Sequence, residues 1–239
     1  MIWPAVPWNQ VPTMSSTALR HADEQARSQF GIEPIQLMEV AGWQIARFVD
    51  GFLDGVRGKR ITVVAGSGNN GGDALVAARF LQQRGAIVRA SIVPTRDPIS
   101  LVARHALTIE RLGVPVLPAP QGVDPSADLL VDGLFGIGIR LPLRDPAPGI
   151  IAAMNANQAP IVAIDVPSGL DADSGAGQEG AVRASATITL VAPKTALRGN
   201  SNAGRVFVAD IGMPIGVFST DREALAGLYQ IADVVELTN

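Results

Sequence analysis

Apolar positions along the chain change period repeatedly, and the changes divide it into alternating helices and strands. A helix is predicted from Ser15 or Ser16, capped by a hydroxyl, to about Gln29, where Gly31 interrupts it. Between Ile35 and Val49, the residues Met38, Ala41, Ile45, Phe48 and Val49 recur at helical spacing and form one buried stripe. Arg60 to Ala65 is then a short β-branched run ending in glycines, which suits a strand covered on both faces. Helical patterns follow at Ala74 to Arg84, Ile99 to Leu112 and Pro146 to Asn157. Strand patterns fall at Ala86 to Val93, near Val116, and at Leu129 to Leu134, Ile161 to Val166, Ala186 to Val191 and Arg205 to Ala209. Alternation with short connections predicts an α/β fold with a mostly parallel, doubly wound sheet and helices on both faces. The first dozen residues carry three prolines and two tryptophans and read as an arm that packs on something rather than a regular element, giving an arm over 1–14 and a single domain over 15–239.

Composition narrows the class. Charged residues are 17% of the chain against roughly 25% in an average soluble protein, and mean hydropathy is +0.25, so the interior is large or another subunit covers part of the surface. The net charge of −3 and the scattered basic residues make nucleic acid an unsuitable partner. No cysteine is present, which removes thiolate chemistry and zinc-thiolate sites. No signal-peptide pattern or membrane-length apolar run occurs, and the expected location is the cytoplasm.

Chemistry gathers at three strand ends. Gly66-Ser67-Gly68-Asn69-Asn70-Gly71-Gly72-Asp73 follows the strand 60–65 and opens a helix, bringing unpaired N–H groups and a positive helix end to one point suited to phosphate. Residues 66–71 satisfy the dinucleotide pattern Gly-x-Gly-x-x-Gly, but the following strand ends Ala90-Ser91-Ile92-Val93-Pro94 without the acidic residue a ribose would need. A tight strand-to-helix turn is the plainer alternative. At the second strand end, Asp132 would be costly to bury unpaired, and Gly136 and Gly138 permit close approach of a ligand. A simple turn cap is the alternative there. At the third, Asp165 ends a buried strand with Ser168 three residues on, a plausible acid–base position. Asn70, Asp132 and Ser168 could jointly offer oxygens to a hard cation. By contrast, His21 and His105 read as surface or satisfied histidines, Lys194 as a lysine that could reach an anionic ligand but is more commonly solvated, Met38 and Trp43 as core or interface, and Asp171 with Asp173 as an exposed turn.

These stretches resemble the YjeF N-terminal domain family, the NAD(P)H-hydrate epimerases. The match runs from the glycine loop through Asp132-Gly133-Leu134-Phe135-Gly136-Ile137-Gly138 and Asp165-Val166-Pro167-Ser168-Gly169-Leu170-Asp171. Weaker matches occur at Leu37-Met38-Glu39-Val40-Ala41-Gly42, Ala192-Pro193-Lys194 and Asp210-Ile211-Gly212-Met213-Pro214. The resemblance implies a Rossmann-like three-layer α/β/α sandwich, commonly a homodimer, that interconverts the R and S forms of hydrated NADH or NADPH (NADHX and NADPHX) in metabolite repair. It implies one potassium ion per subunit on Asn70, Asp132 and Ser168. The substrate is expected on Asn69, Asn70, Gly71, Gly72 and Asp73, on Gly136, Ile137, Gly138, Ile139, Arg140, Leu141 and Pro142, and on Asp165, with Asp165 the catalytic residue. A separate NAD(P)H-hydrate dehydratase is expected in the pathway. Val40, Ala74 and Phe80 depart from residues frequent in the family. Two other readings are a non-catalytic nucleotide-binding or protein-interaction scaffold, for which Asp132, Asp165 and Ser168 together would be needless, and a dehydrogenase, weakened by the missing ribose acid.

Overall fold

A computed structural model describes residues 3–218 and 220–239. Among these residues, nine strands form one sheet: β1 (Ala5–Pro7), β2 (Arg60–Ala65), β3 (Ile87–Ile92), β4 (Val116–Pro118), β5 (Leu129–Gly133), β6 (Ile161–Ile164), β7 (Ala186–Leu190), β8 (Arg205–Ala209) and β9 (Val234–Thr238). Their spatial order is β1-β9-β8-β7-β6-β5-β2-β3-β4, and every pairing is parallel except β8 with β9. Six α-helices among the described residues accompany them: α1 (Ser16–Phe30), α2 (Pro34–Phe52), α3 (Asn69–Gln83), α4 (Leu101–Arg111), α5 (Ala147–Asn155) and α6 (Arg222–Ile231).

Side-chain alternation explains the layers. Along β2, Ile61, Val63 and Ala65 enter the core built with α1 to α4, while Val64 enters a second core with Ile150, Ile151 and Met154 of α5. β5 does the same, Leu129 and Val131 against Leu130. A strand buried on both faces needs this continuous apolar run, because successive side chains point to opposite sides. The stripe expected on α2 is buried throughout, and Ser15 caps α1 by accepting from Ala18 N at 3.2 Å.

The chain's first segment differs from the expectation of an irregular arm. β1 pairs with β9 in the register Ala5↔Glu236 and widens the sheet, and Trp3 packs edge-on to Phe207. Neither α6 nor β9 was marked by the sequence pattern. Among the described residues, no helix is long and apolar enough to cross a membrane.

The winding positions the site. From β2 the chain moves outward to β3 and β4, then returns to place β5 on the other side of β2, with Ala65 opposite Gly133. Loops leaving β2 and β5 diverge there, and such switch points open a crevice beyond the carboxyl edge.

Candidate functional site

A cavity of about 560 Å³ lies at this crevice. The loop after β2, the loop after β5, Asp165 after β6 and Lys194 after β7 form its floor, while α1 and α2 contribute Arg20, Asp23, Leu37 and Met38. That size suits a small-molecule ligand.

In the first loop, most of the glycines answer to the protein's own packing. A Cβ on Gly66 would stand 1.9 Å from the Leu134 carbonyl, and one on Gly71 1.9 Å from the Gly66 carbonyl, whereas Gly68 faces open space. Gly71 and Gly72 donate back to the Gly68 carbonyl at 3.0 and 3.2 Å. The amides before them therefore stand at the helix start, beside the cavity that Ser67, Gly68, Asn69 and Asn70 line.

Asp132 is fully buried at the end of β5. Its carboxylate accepts from Ser168 N at 2.8 Å, Ser168 Oγ at 2.7 Å and Leu134 N at 3.2 Å. No cationic side chain pairs with it among the described residues, and burial pushes its carboxyl up to about 6 despite the donors from Ser168 and Leu134. Asn70 reaches across to the same loop, Nδ2 donating to the Phe135 carbonyl at 2.9 Å and the Ile164 carbonyl at 3.3 Å. Ser168 thus meets Asp132 directly, and Asn70 reaches Ser168 only through the shared Phe135 carbonyl. Ser168 Oγ further accepts from Phe135 N at 2.8 Å, so the loop after β5 and the loop after β6 are tied by one hydroxyl.

Asp165 occupies a strained turn. Its φ is +68°, and Val166 N donates across it to Ile164 O at 2.8 Å, a γ-turn that abruptly ends β6. β7 ends the same way: Val191 has φ +68° beneath an Ala192 N to Leu190 O bond of 2.8 Å. The two turns set Asp165 against Lys194. Lys194 is only 2% exposed, a correction to its reading as a solvated lysine: Nζ pairs with Asp165 Oδ1 and donates to Thr189 Oγ1 at 3.1 Å and Leu190 O at 2.8 Å. Oδ1 also receives Leu190 N at 3.2 Å and Thr189 Oγ1 at 3.3 Å. Among the described residues Oδ2 accepts nothing, and it lies with Asn70 Oδ1 near Gly136, each 3.2 Å from where a Cβ there would stand. Glycine at 136 keeps that gap open.

Asn69, Asn70, Asp73, Gly136, Ile137, Gly138 and Asp165 line the cavity; Gly71, Gly72, Ile139, Arg140, Leu141 and Pro142 do not. Gly72 lies behind the loop against Met38, where a Cβ would meet the methionine Cε at 2.5 Å. Val40 is on the exposed side of α2, away from the cavity, and Ala74 packs its Cβ against Gly133. Sequence reasoning missed Arg20 and Asp23, and it weighed Lys194 without seeing its partner. Asp23 falls four residues after the buried Leu19, so an acid on the apolar stripe of α1 was the available signal. Arg20 ties α1 to the loop after β5 by donating to Ile137 O at 3.1 Å. His105 is buried with its Nε2 unpartnered, short of the satisfied histidine expected, whereas His21 is exposed. Asp173, rather than only closing a turn, accepts from Ser16 N and Oγ at 2.7 and 2.6 Å and so fastens the start of α1.

A doubly wound sheet with its ligand cavity at the switch point defines a Rossmann-like α/β/α protein. Residues 34–196 match the family described as YjeF-related protein N-terminus, and the chain belongs to that family. It is 33% identical to the NAD(P)H-hydrate epimerase of Rhodopirellula baltica, covering 86% of each chain. With the NAD(P)H-hydrate epimerase of Limosilactobacillus fermentum it shares 37% identity over 82% of this chain and 95% of the relative. The bifunctional NAD(P)H-hydrate repair enzyme of Salinibacter ruber is 35% identical, and there the match covers 89% of this chain but 42% of the relative. Among solved structures, a yeast protein superposes with a TM-score of 0.75 at 29% identity, over 83% of this chain and 88% of that one.

Proposed function

We propose that this chain is an NAD(P)H-hydrate epimerase, interconverting the R and S forms of hydrated NADH and NADPH. The observation that carries the reading is the Asp165–Lys194 pair, which leaves Asp165 Oδ2 unengaged at the floor of a cavity bounded by the start of α3. Family membership and the names of the relatives support the substrate class. The stereocentre is the carbon that carries the hydroxyl beside the ring nitrogen, so no redox step is required. Asp165 exchanges the proton of that hydroxyl from Oδ2, while Lys194, Thr189 and Leu190 N hold Oδ1 and fix the direction of the other oxygen. The open amides at the start of α3 and the guanidinium of Arg20 suit the substrate phosphates.

Potassium fits the chain's oxygens. Asp132 is a buried carboxylate without a cationic partner among the described residues; Ser168 contacts it directly, and the Phe135 carbonyl links Ser168 to Asn70. These groups would hold the ion. Bound there, it would supply positive charge that balances Asp132 and steadies the loops after β5 and β6. The further readings are a homodimer, to which the exposed Val40 and Trp43 on α2 would contribute, a dehydratase as partner in the repair sequence, and a cytoplasmic location.

Incubating the protein with one epimer of hydrated NADH and separating the epimers by chromatography tests the function. Epimer exchange without change at the reduced-nicotinamide absorbance is expected, and Asp165→Asn should bind the substrate but not exchange it. An Asp165→Asn enzyme with unchanged turnover would remove Asp165 from the chemistry; binding without exchange by the unaltered protein would select the scaffold reading.

A further inference from the structure

Inversion through an iminium, as opposed to ring opening with the oxygen retained, requires the hydroxyl to leave from one face and water to arrive at the other. One carboxylate cannot serve both faces at once, and the cavity contains a second. Asp73, in the first turns of α3, is 8% exposed, lines the cavity, and accepts no hydrogen bond and forms no ion pair among the described residues. Its carboxylate oxygens, with no protein donor among the described residues, open onto the cavity itself. Asp165 is its opposite, with Oδ1 fully engaged by Lys194, Thr189 and Leu190 N. The surroundings treat the two differently. Burial first, then the charges of Asp165 and of Asp23 on α1, push the Asp73 carboxyl well above the usual carboxylate range, and Lys194 only partly opposes them. Asp23, at the cavity rim, is raised too, by desolvation and by Asp165.

Resting on the epimerase reading above, we propose that Asp73 is a second catalytic residue, which works with Asp165 from different walls of the cavity as a two-carboxyl proton exchange. Asp73 gives its proton to the hydroxyl oxygen. The carbon–oxygen bond then breaks with its electron pair leaving on water, while the ring nitrogen's lone pair closes a carbon–nitrogen double bond. A water adds from the other face, that pair returns to nitrogen, and Asp165 Oδ2 takes the proton released. One water departs and one enters, and no electron is gained or lost. After one inversion the proton lies on Asp165 and Asp73 is bare, which is the state the reverse inversion requires. A freely reversible epimerase needs that symmetry.

The test follows a single epimer of hydrated NADH in ¹⁸O-water with the unaltered protein and with Asp73→Asn, subtracting the rate without protein. One ¹⁸O should enter each inverted molecule. Asp73→Asn should lose about 10²- to 10⁴-fold in kcat in both directions, with KM little changed and no fall in unfolding temperature. Inverted product that retains ¹⁶O, an Asp73→Asn enzyme with undiminished kcat, or a loss of kcat matched by loss of substrate binding would each overturn this proposal while leaving the epimerase reading standing. Absence of exchange in the unaltered protein overturns both.

Discussion

Replacing Lys194 by Met removes the cation held against Asp165 while keeping most of the stem's volume. The ammonium is 2% exposed and the partner carboxylate 11%, so the change strands a buried negative charge. Breaking a buried pair from one side costs about 3–5 kcal/mol. Two features favour the lower end: Thr189 Oγ1 and Leu190 N still donate to Oδ1, and Oδ2 reaches cavity water. Leu190 O adds little, because Ala192 N still donates to it. At about 2–4 °C per kcal/mol for a domain of this length, a loss of about 3 kcal/mol lowers the unfolding temperature by about 6–12 °C. The double variant Lys194→Met/Asp165→Asn supplies the control, since a neutral amide requires no counter-charge. Thermal unfolding of both single variants and the double should show the double well above the sum of the singles, with a coupling of about 2 kcal/mol or more. A Lys194→Met protein within about 1 kcal/mol of the unaltered one, or strictly additive losses, would refute the argument that the pair is a buried, interdependent unit.

Other expectations are shorter. Because Asp73's carboxyl is raised in the folded chain, its contribution to stability is complete below the ordinary value near 3.8 and is lost as pH rises through the raised value. Melting curves at pH 5 and pH 8 should therefore show a loss at the higher pH that is smaller in Asp73→Asn. Gly71→Ala forces a Cβ toward the Gly66 carbonyl at 1.9 Å and should cost about 3 kcal/mol, the upper end of overpacking, in urea titration, whereas Gly68→Ala meets nothing within 4 Å and should stay within about 0.5 kcal/mol. Potassium chloride should raise the unfolding temperature above that in tetramethylammonium chloride of equal ionic strength, and Asn70→Ala should abolish the difference.

Much of the sheet's interior could be read directly from sequence because its strands are continuous apolar runs whose ends carry conspicuous Asp and Gly. Asp132 and Asp165 stood out for that reason: a carboxylate that ends a run of three or four buried apolar residues has few innocent explanations. Lys194 follows the same logic after β7, yet lysine's long stem makes exposure the ordinary outcome, and its partner lies 29 residues away. β1 and β9 were invisible for a different reason. Three residues ending in proline carry no period, and what makes Ala5–Pro7 a strand is a partner at the far end of the chain. α6 begins after Asp221 and carries Glu223 in its first turn, both helix-start residues, but Asp221 sits at φ +61° and makes no side-chain cap. Asp73 was legible as a loop residue, but its lack of any partner is a fact about three-dimensional packing.

The twin γ-turns that close β6 and β7 have a consequence for engineering. Asp165 and Val191 both hold backbone conformations that glycine would adopt without strain, and for a β-branched valine the conformation is a genuine outlier. A campaign for heat resistance would therefore be drawn to these two positions, since relieving each could return about 1–3 kcal/mol. Glycine at 191 would also slacken the turn that leads to Lys194, so the hardiest variants should emerge with the least accurately aimed carboxylate. Screening for thermal tolerance and for epimer exchange in the same library would show the two traits pulling apart at these two turns.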